Sequence, residues 1–358
     1  MSPKKRKHIL IEAMALGFIP CGLREFTMHI GQGIADRAPM LKEKYGLTFE
    51  FLVPKEFDGV FGQEVNYCSI PKCVRFAPMV LPLVDCDIYH TLHQLCFFKW
   101  LKGKHHALMT VHDINFRHTR HGKKRFHAAH RFAGRLNHAD SLVYITDFVR
   151  RDVGEMFPNN KPSRLIYNGV TDLLDIFKEP ATPGFASLIP EQFLFHLSSL
   201  DAYKNPDALL EMMRYLPEET LVITGRWEKD PQLRELAESM PNVIALDPVT
   251  EEEKAWLYKH CRAFLFPSSA EGFGLPPVEA MKMGKPVFLS TSTSLPEVGG
   301  RAAYYWSVIE PKAMAEVVKK KLSKPADTDA ILANAARFDW DKCVDDYIDC
   351  YLDILGRE

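Results

Sequence analysis

The stretch Pro267-Ser-Ser-Ala-Glu271-Gly-Phe-Gly-Leu-Pro-Pro-Val-Glu279-Ala-Met-Lys-Met-Gly284-Lys-Pro predicts the end of a strand, a glycine loop and a helix. Apolar runs at 263–266 and 287–289 flank it, so the local order is strand, loop, helix, strand. Proline is tolerated in the first helical turn, because its missing N–H would be unpaired there anyway. Free backbone N–H groups in such a loop suit anionic or hydroxyl-rich ligands. The alternative is an ordinary glycine turn in which a Glu only complements the helix dipole.

The composition is that of an ordinary globular protein. The chain has 358 residues, of which 46% are hydrophobic and 25% charged, and a net charge of −1. At roughly 150 residues per domain, this length predicts about two domains with a sizeable core. Eight cysteines occur without a Cys-x-x-Cys pair. They favour reduced, buried thiols in a cytosolic protein over a disulfide framework or a zinc site.

No targeting segment or membrane span is expected from the sequence. No apolar run approaches the ~18 residues of a spanning helix. The start, Met1-Ser-Pro-Lys-Lys-Arg-Lys7, has the composition of a nuclear-localisation string, but the apolar run after it is too short for a signal peptide. We interpret this start as a solvated terminus and expect a cytoplasmic protein.

Strand-like runs alternate with helical patterns along most of the chain, which favours the α/β class with parallel sheets. The predicted strands are residues 8–13, 48–53, 87–90, 107–113, 141–146, 164–169, 192–197, 220–225, 242–246, 263–266 and 287–289. The predicted helices are residues 24–44, 207–215, 231–240, 311–321, 327–336 and 339–355, one that Thr250 opens, and the one after the glycine loop.

The predicted elements divide into two series. We predict domains over 1–172 and 191–338, a linker over 173–190, where prolines recur without a period, and a final helix over 339–358. Ligands bind beyond the carboxyl ends of the strands in such sheets, so the polar residues there should face a central cleft. These residues are 17–22, His112, Asp113, Asn168, Gly169, 198–204, Gly225, Arg226 and 271–279.

The segment from Glu271 to Glu279 resembles the signature of two Glu separated by seven residues in retaining GT-B glycosyltransferases of glycosyltransferase family 4. Further segments resemble the family in the same order: Val111-His112-Asp113, residues 144–152, Ile166-Tyr-Asn168-Gly-Val, residues 196–205 and Ser294-Leu-Pro-Glu297-Val. The resemblance spans nearly the whole chain. It implies two Rossmann-like domains that face a central cleft, with the C-terminal helix packed back on the N-terminal domain.

The resemblance also implies an activity. It indicates a retaining hexosyltransferase that moves a sugar from a nucleotide-diphosphate sugar, a GDP- or UDP-sugar, to a glycan or lipid-linked acceptor. The mannosyltransferase-type segments imply a role in cell-surface polysaccharide or glycolipid synthesis. Retention is explained in this family by front-face attack, in which the leaving phosphate takes the proton of the acceptor. No Asp-x-Asp pair occurs near the site, so we expect transfer without a metal or another cofactor.

Roles for individual residues follow from the same resemblance. His112, Lys204 and Glu271 are the expected catalytic residues, with His112 and Glu271 on the donor sugar. Glu279 is expected to accept hydrogen bonds from the ribose hydroxyls, as an ionised carboxylate does. The residues expected to bind the donor are Gly22, Ser199, Lys204, Arg226, Glu271, Gly272, Phe273, Gly274, Leu275 and Glu279.

One position departs from the family. Family members often carry an Arg shortly before the Lys, where it contacts the donor diphosphate, and Ser199 stands there in this chain. Arg226, at the end of the next strand, is a candidate to supply the missing charge. A loop salt bridge is the alternative role for Arg226.

A basic run extends from Arg117 to Arg135, with no acidic residue until Asp140. It is either a solvated helix face or a surface for a lipid diphosphate acceptor or the anionic inner face of a membrane. No nucleic-acid-binding motif accompanies the charge, so we expect no nucleic-acid partner. The residues expected on the acceptor side are Asp113, Arg117, Lys123, Lys124 and Arg125.

Two further functions stay open. One is another GT-B enzyme, such as a sugar-nucleotide epimerase or a phosphorylase. The other is a catalytically silent subunit that binds a nucleotide sugar, for which the change at Ser199 is the only support.

Overall fold

The computed structural model describes residues 6–18, 21–71, 85–94 and 105–356. The chain divides into two compact units. Unit 1 consists of Met1–Gly169 with Asp339–Glu358, and unit 2 of Val170–Phe338. The predicted basic start and residues 81–84, which precede a predicted strand, lie wholly or largely outside the described residues.

Strands and helices alternate through the described part of the chain, as the sequence predicts. The strands are β1 Lys7–Glu12, β2 Leu47–Pro54, β3 Asn66–Ile70, β4 Ile88–Thr91, β5 His106–Val111, β6 Ser141–Tyr144, β7 Ser163–Leu165, β8 Leu194–Leu197, β9 Leu221–Thr224, β10 Val243–Leu246, β11 Ala263–Phe266, β12 Val287–Ser290 and β13 Tyr304–Trp306. The α-helices are α1 Gly22–Tyr45, α2 Phe116–Thr119, α3 Gly122–His138, α4 Asp147–Met156, α5 Leu173–Ile176, α6 Pro206–Met213, α7 Pro231–Glu238, α8 Glu251–His260, α9 Leu275–Lys282, α10 Leu295–Gly299, α11 Pro311–Leu322, α12 Thr328–Ala335 and α13 Trp340–Ile354.

Unit 1 contains a parallel sheet with the order β3-β2-β1-β4-β5-β6-β7. Ile9 in β1 pairs with Phe49 on one side and Ile88 on the other. The strand order reverses direction along the chain at β1 and β4, which is the kind of switch point where ligands bind in open α/β sheets. Glu12, Thr91 and His112 lie at or directly after the carboxyl ends of their strands.

The C-terminal helix α13 packs on α1, which confirms the prediction that it returns to the N-terminal domain. Gly33 of α1 allows the close approach, since a Cβ there would lie 2.5 Å from a methyl carbon of Val344. Arg37 adds ion pairs of 2.8 Å to Asp341 and to Asp345.

A buried hydrogen-bond chain also connects α13 to the sheet of unit 1. His90 Nδ1 lies 2.7 Å from the Tyr351 hydroxyl, and His90 Nε2 lies 2.9 Å from Thr110 Oγ1. Thr110 Oγ1 is in turn 3.0 Å from the Tyr347 hydroxyl. These residues are buried, so each polar atom needs such a partner.

Unit 2 contains a second parallel sheet, with the order β10-β9-β8-β11-β12-β13. Helix α8 begins with a capping box, in which Thr250 Oγ1 accepts the Glu253 N–H at 3.2 Å and the Glu253 carboxylate accepts the Thr250 N–H at 2.8 Å. This geometry confirms the predicted start of a helix at Thr250. It also fixes the direction in which α8 runs toward β11.

The predicted linker, residues 173–190, lies in unit 2. Lys259 of α8 forms a 2.6 Å ion pair with Glu179, and Glu252 accepts the Ala181 N–H at 3.0 Å. The segment contains only short helical turns, α5 and a 3-10 turn at Gly184–Leu188, so no long period appears in its sequence. Its prolines therefore indicated irregular structure correctly, but not a segment separate from the second domain.

Candidate functional site

The loop after β8 is tied to the loop after β11. Asn205 has a left-handed backbone, with φ of 52°, and its side-chain amide donates to the Pro267 carbonyl at 2.8 Å. The Ser269 N–H donates to the Tyr203 carbonyl at 2.7 Å. These bonds place Lys204, which lies between Tyr203 and Asn205, beside Glu271.

A buried histidine shapes the start of the same loop. His196 Nδ1 donates to the Leu265 carbonyl at 2.8 Å, so Nε2, 2.8 Å from Ser198 Oγ, is left to accept the serine proton. Burial lowers the pKa of His196 to about 4, and the imidazole is therefore neutral. Gly225 is required next to this loop, since a Cβ would lie 2.5 Å from the Ser198 carbonyl oxygen.

Lys204 and Glu271 form a buried ion pair. The Glu271 residue is only 9% exposed, and the Lys204 ammonium also lies over the Phe266 ring at 5.1 Å. Burial alone would lower the pKa of Lys204, but the adjacent Glu271 carboxylate outweighs burial and raises it. The lysine is therefore charged at neutral pH, within a site where water screens its charge weakly.

The backbone of the loop that follows Glu271 is held by two side-chain hydroxyl groups from the turn before α10. The Ser294 hydroxyl bonds the carbonyls of Glu271 and Phe273, both at 3.0 Å, and Thr293 Oγ1 accepts the Glu271 N–H at 2.9 Å. Gly274 has φ of 106°, and a Cβ there would meet a Leu295 methyl at 2.9 Å. Only glycine fits this turn without strain.

Glu279 lies one turn into α9 and is 5% exposed. Its Oε1 is 3.1 Å from Lys254 Nζ, and its Oε2 accepts the Tyr258 hydroxyl at 2.9 Å. Burial, together with the nearby Glu279 carboxylate, raises the pKa of Tyr258 well above its usual value, so the phenol stays protonated and donates. The second Glu of the motif is therefore a buried, ion-paired carboxylate.

The remaining residues expected to bind the donor are placed as follows. The Ser199 hydroxyl donates to Asp201, whose carboxylate also pairs with Lys229 at 2.8 Å. Gly272 and Phe273 are buried, and the Phe273 ring meets Phe338 edge-on, with centroids 5.2 Å apart. The expected residues not yet described are Gly22, exposed in the first turn of α1, Leu275, the first residue of α9, and Arg226, half-buried in the turn after β9.

His112 and Asp113 lie in unit 1, at the end of β5. His112 Nε2 donates to the Leu92 carbonyl at 2.9 Å, and the Phe26 ring packs edge-on at 4.6 Å between centroids. Burial lowers the pKa of His112 to about 4. The neutral ring therefore presents Nδ1 as an acceptor. Asp113 Oδ1 accepts the Asn115 N–H at 2.9 Å and shapes the turn that follows.

The basic run divides into paired and exposed residues. Arg117 is engaged by Asp152 at 2.7 Å and by Glu155 at 2.9 Å, so it does not supply an uncompensated charge to the acceptor side. Lys123 and Lys124 are exposed in the first turn of α3, Arg125 is half-buried, and Phe126 is 68% exposed. Two lysines at a helix N-terminus oppose the helix dipole, so they are not there to stabilise the helix.

Two results concern the whole described part of the chain. None of its helices combines the length and the apolar character that crossing a bilayer requires. Residues 6–18, 21–71, 85–94 and 105–356 also contain no group of three His, Cys, Asp or Glu side chains arranged to hold a metal ion.

Sequence reasoning missed the polar partners of the two carboxylates. Lys254 and Tyr258 are four residues apart on α8, so they share a helix face, and Thr293 and Ser294 sit in the turn before α10. The available signal for Lys254 was its position: it directly precedes the apolar run 255–258 and shares a helix face with Tyr258, which ends that run. Glu12 was also missed: it is buried, and one of its carboxylate oxygens, Oε1, has no hydrogen-bond partner among the described residues.

Comparisons with known proteins find a family match in the second half of the chain. The sequence model of "Glycosyl transferases group 1" matches residues 186–339. The O-antigen chain mannosyltransferase B of Escherichia coli is 29% identical over 238 residues, which cover 60% of this chain and 61% of that protein. The serotype-specific mannosyltransferase WbdA of Escherichia coli is 32% identical over 167 residues, 42% of this chain and 20% of that protein. The chain thus spans about three fifths of the first relative and a fifth of the second.

Solved structures share the fold over nearly the full length. Sucrose-phosphate synthase from Thermosynechococcus elongatus superposes with a TM-score of 0.74 at 16% identity, covering 99% of this chain and 100% of that one. Anabaena Alr3699/HepE, in complex with UDP-glucose, gives a TM-score of 0.70 at 16% identity, with 97% and 99% covered. These likenesses confirm the predicted GT-B fold class. The Lys204, Glu271 and Glu279 cluster lies within residues 186–339, the part of the chain that matches the glycosyl transferases group 1 model.

Proposed function

We propose that this protein is a retaining glycosyltransferase of the family 4 type that moves a hexose from a GDP- or UDP-sugar to a glycan or lipid-linked acceptor. The observation that carries the proposal is the buried Lys204–Glu271 pair next to the glycine turn and Glu279, inside the matched residues. The names of the relatives, an O-antigen chain mannosyltransferase and a serotype-specific mannosyltransferase, support a mannosyltransferase-like role in cell-surface polysaccharide synthesis.

Lys204 is proposed to stabilise the diphosphate as it leaves. Negative charge develops on the leaving phosphate, and a preorganised cation in a poorly solvated site lowers that barrier most effectively. The Lys204 ammonium is charged and held in place by Glu271, so it needs little reorganisation. In front-face transfer, the leaving phosphate takes the proton of the acceptor hydroxyl while the new glycosidic bond forms on the same face.

The two carboxylates are proposed to bind donor hydroxyls, Glu271 on the sugar and Glu279 on the ribose. Both are buried and both are acceptors when ionised. Backbone N–H groups of the turn around Gly274 are proposed to face the same ligand, in a turn that needs glycine because a Cβ would meet a Leu295 methyl at 2.9 Å. Arg226 is proposed to add positive charge in place of the arginine that Ser199 replaces.

His112 is proposed to accept a hydrogen bond from a sugar hydroxyl through Nδ1. Its Nε2 proton is committed to Leu92, and the neutral ring cannot act as an acid near pH 7. Donor cleavage is proposed to need no metal ion, because Lys204 and the turn amides supply the positive groups that the diphosphate requires.

The test is a donor screen. Purified protein is incubated with UDP-, GDP- and ADP-sugars, with and without mannose-containing acceptors, and release of the nucleoside diphosphate is measured. We expect turnover with one nucleotide class, loss of it in Glu279→Ala with an unchanged circular dichroism spectrum, and retained anomeric configuration by NMR of the product. Neither transfer nor slow donor hydrolysis with any donor would overturn the proposal.

One observation favours a second candidate, a silent subunit that binds a nucleotide sugar. Ser199 stands at the position of the usual arginine, and its hydroxyl donates to Asp201. Asp201 also pairs with Lys229, so the charge of Lys229 is compensated and does not replace that of the arginine. Calorimetric binding of UDP or GDP without turnover under any acceptor would support this candidate over the enzyme.

The exposed start of α3 is proposed to face the anionic inner surface of a membrane. Lys123 and Lys124 supply the charge and Phe126 an apolar side chain that stands in solvent. This placement suits an enzyme whose acceptor is carried on a lipid, and it makes the protein a peripheral membrane protein of the cytoplasm.

A further inference from the structure

We propose that Lys254 is a positioning residue of the donor site, which orients the Glu279 carboxylate so that the protein distinguishes ribose from deoxyribose. The inference rests on the proposed function, in which Glu279 accepts hydrogen bonds from the ribose hydroxyls. Lys254 lies on α8 and Glu279 on α9, and the two are 25 residues apart in the chain.

The contacts of Glu279 divide between its two oxygens. Lys254 Nζ lies 3.1 Å from Oε1, and the Tyr258 hydroxyl donates to Oε2 at 2.9 Å. A carboxylate offers about four acceptor directions, so each oxygen keeps one for a ligand hydroxyl. The two protein donors therefore fix the plane of the carboxylate while leaving it able to bind a pair of neighbouring hydroxyls.

The charge of Lys254 matters as well as its position. Glu279 is buried, and burying a carboxylate without a paired cation is costly. The exposed carboxylate of Glu251, 2.7 Å from Lys254 Nζ, holds the ammonium from the other side. Lys254 thus compensates the buried charge of Glu279 and holds its carboxylate in one orientation.

The competing role for Lys254 is purely structural, a salt bridge that packs α8 against α9. The two roles differ in what they change. A structural bridge affects stability and the binding of all nucleotides alike. A positioning residue changes the preference between a nucleotide that has the hydroxyl and one that lacks it.

The experiment measures that preference by calorimetry. Dissociation constants of GDP and UDP, and of their 2′-deoxy and 3′-deoxy forms, are compared in the full-length protein, in Lys254→Met and in Lys259→Met. Lys259 is the matched control, because it lies on the same helix and pairs with the exposed Glu179. Wild type and Lys259→Met should prefer the ribonucleotide by about tenfold or more, the value of a hydrogen bond to a charged group.

In Lys254→Met the ratio should fall toward one, mainly through weaker binding of the ribonucleotide. A ratio that is unchanged in a folded Lys254→Met protein would overturn the inference and leave the proposed function intact. If the wild type binds no diphosphate, or binds ribo and deoxy forms equally, the role of Glu279 in the proposed function fails first.

Two more variants cover the case in which Lys254→Met does not fold. Lys254→Arg keeps the charge and should retain a clear preference for the ribonucleotide. The double variant Lys254→Met/Glu279→Gln removes both buried charges, so it should fold, and it should lack the preference. A preference that survives in the double variant contradicts the proposed role of Glu279, on which the inference rests, whereas loss of the preference in a folded Lys254→Arg protein contradicts the role of Lys254.

Discussion

The two units keep polar side chains buried near the ends of their strands in different ways. In unit 1, His90, His93 and His112 are buried as neutral rings, because burial lowers their pKa values to about 3, 3 and 4. In unit 2, one ring, His196, is buried neutral in the same way, but two lysines and two glutamates are buried as ion pairs, Lys204 with Glu271 and Lys254 with Glu279. The groups of unit 2 that are proposed to bind the charged donor are thus ionic, whereas His112 and the interior that anchors α13 in unit 1 are uncharged.

The difference shows what each arrangement is suited for. A neutral imidazole with both nitrogens bonded costs little to bury and joins distant elements, as His90 joins Thr110 to Tyr351. A buried ion pair is expensive to desolvate and is weak evidence for stability, so its retention points to function. We make four predictions from this comparison, in order of decreasing expected effect.

The largest effect is expected on unit 1 at acid pH. The three histidines have folded pKa values below the usual 6.5, so the unfolded state binds more protons between about pH 6.5 and pH 3. Their contribution is fully present above that window and is lost as pH falls through it, at several kcal/mol for each ring. Glu12 offsets part of this loss, since its raised pKa stabilises unit 1 as pH falls from 7 toward 4.5, and His196 gives unit 2 a loss of the same kind from a single ring. Hydrogen exchange, corrected for the intrinsic rate at each pH, should show strands of unit 1 losing protection between pH 7 and pH 4.5 before those of unit 2. Earlier loss of protection in the strands of unit 2 would contradict the difference between the two units.

The second effect is catalytic and concerns the ion pair of unit 2. Lys204→Met should lower kcat by about two to three orders of magnitude, the usual consequence of removing one preorganised group that stabilises developing charge. Lys204→Arg should recover part of the loss. Lys342→Met is the control, since that lysine is exposed and pairs with Asp346 on α13. Full turnover in Lys204→Met would show that the pair is structural.

The third prediction concerns Glu12, the buried carboxyl in unit 1. Burial raises its pKa to about 7, so the fold favours the protonated form, and stability is lost as pH rises from 4.5 through 7. Glu12→Gln does not titrate and should gain stability over wild type as pH rises, by on the order of 3 kcal/mol at pH 8. Urea unfolding at pH 5 and pH 8 measures the gain. An equal difference at both pH values would contradict this view of Glu12.

The smallest effect is expected on the surface of unit 1. Lys123→Gln with Lys124→Gln should weaken binding to vesicles that contain phosphatidylglycerol by about 1 kcal/mol per lysine. Co-sedimentation with these vesicles and with neutral phosphatidylcholine vesicles measures it. Lys319→Gln with Lys320→Gln, on α11 of unit 2, is the matched control. Equal binding by both double variants would locate membrane attachment elsewhere or exclude it.

Much of the fold was predictable because its signals are local. Apolar runs between turn residues predicted most strands, and Thr250 followed by Glu253 predicted the capping box of α8. The spacing of Glu271 and Glu279 around a glycine turn also indicated a binding loop. The edge strands β3 and β13 were not predicted, because β3 mixes polar and apolar residues and β13 is only three residues long.

The pairing of side chains was not predictable. Arg117 was expected to face an acceptor, but Asp152, 35 residues away, takes up its charge. Lys254 was not predicted as a site residue, because its partner Glu279 lies on another helix. Sequence spacing identifies neighbours only within one helix or strand, and both pairs depend on the packing of different elements.

The amino-acid sequence by itself determined the alternation of strands and helices, the two series that form two sheets, and the glycine loop between Glu271 and Glu279. These features depend on short-range preferences: periodicity, capping and the backbone freedom of glycine. Only the tertiary structure decided that Lys204 would meet Glu271, that Lys254 and Tyr258 would hold Glu279, and that His90 would bond Tyr351 across 261 residues. The physical reason is that such contacts, and the pKa values that follow from them, depend on the order of strands in each sheet and on burial.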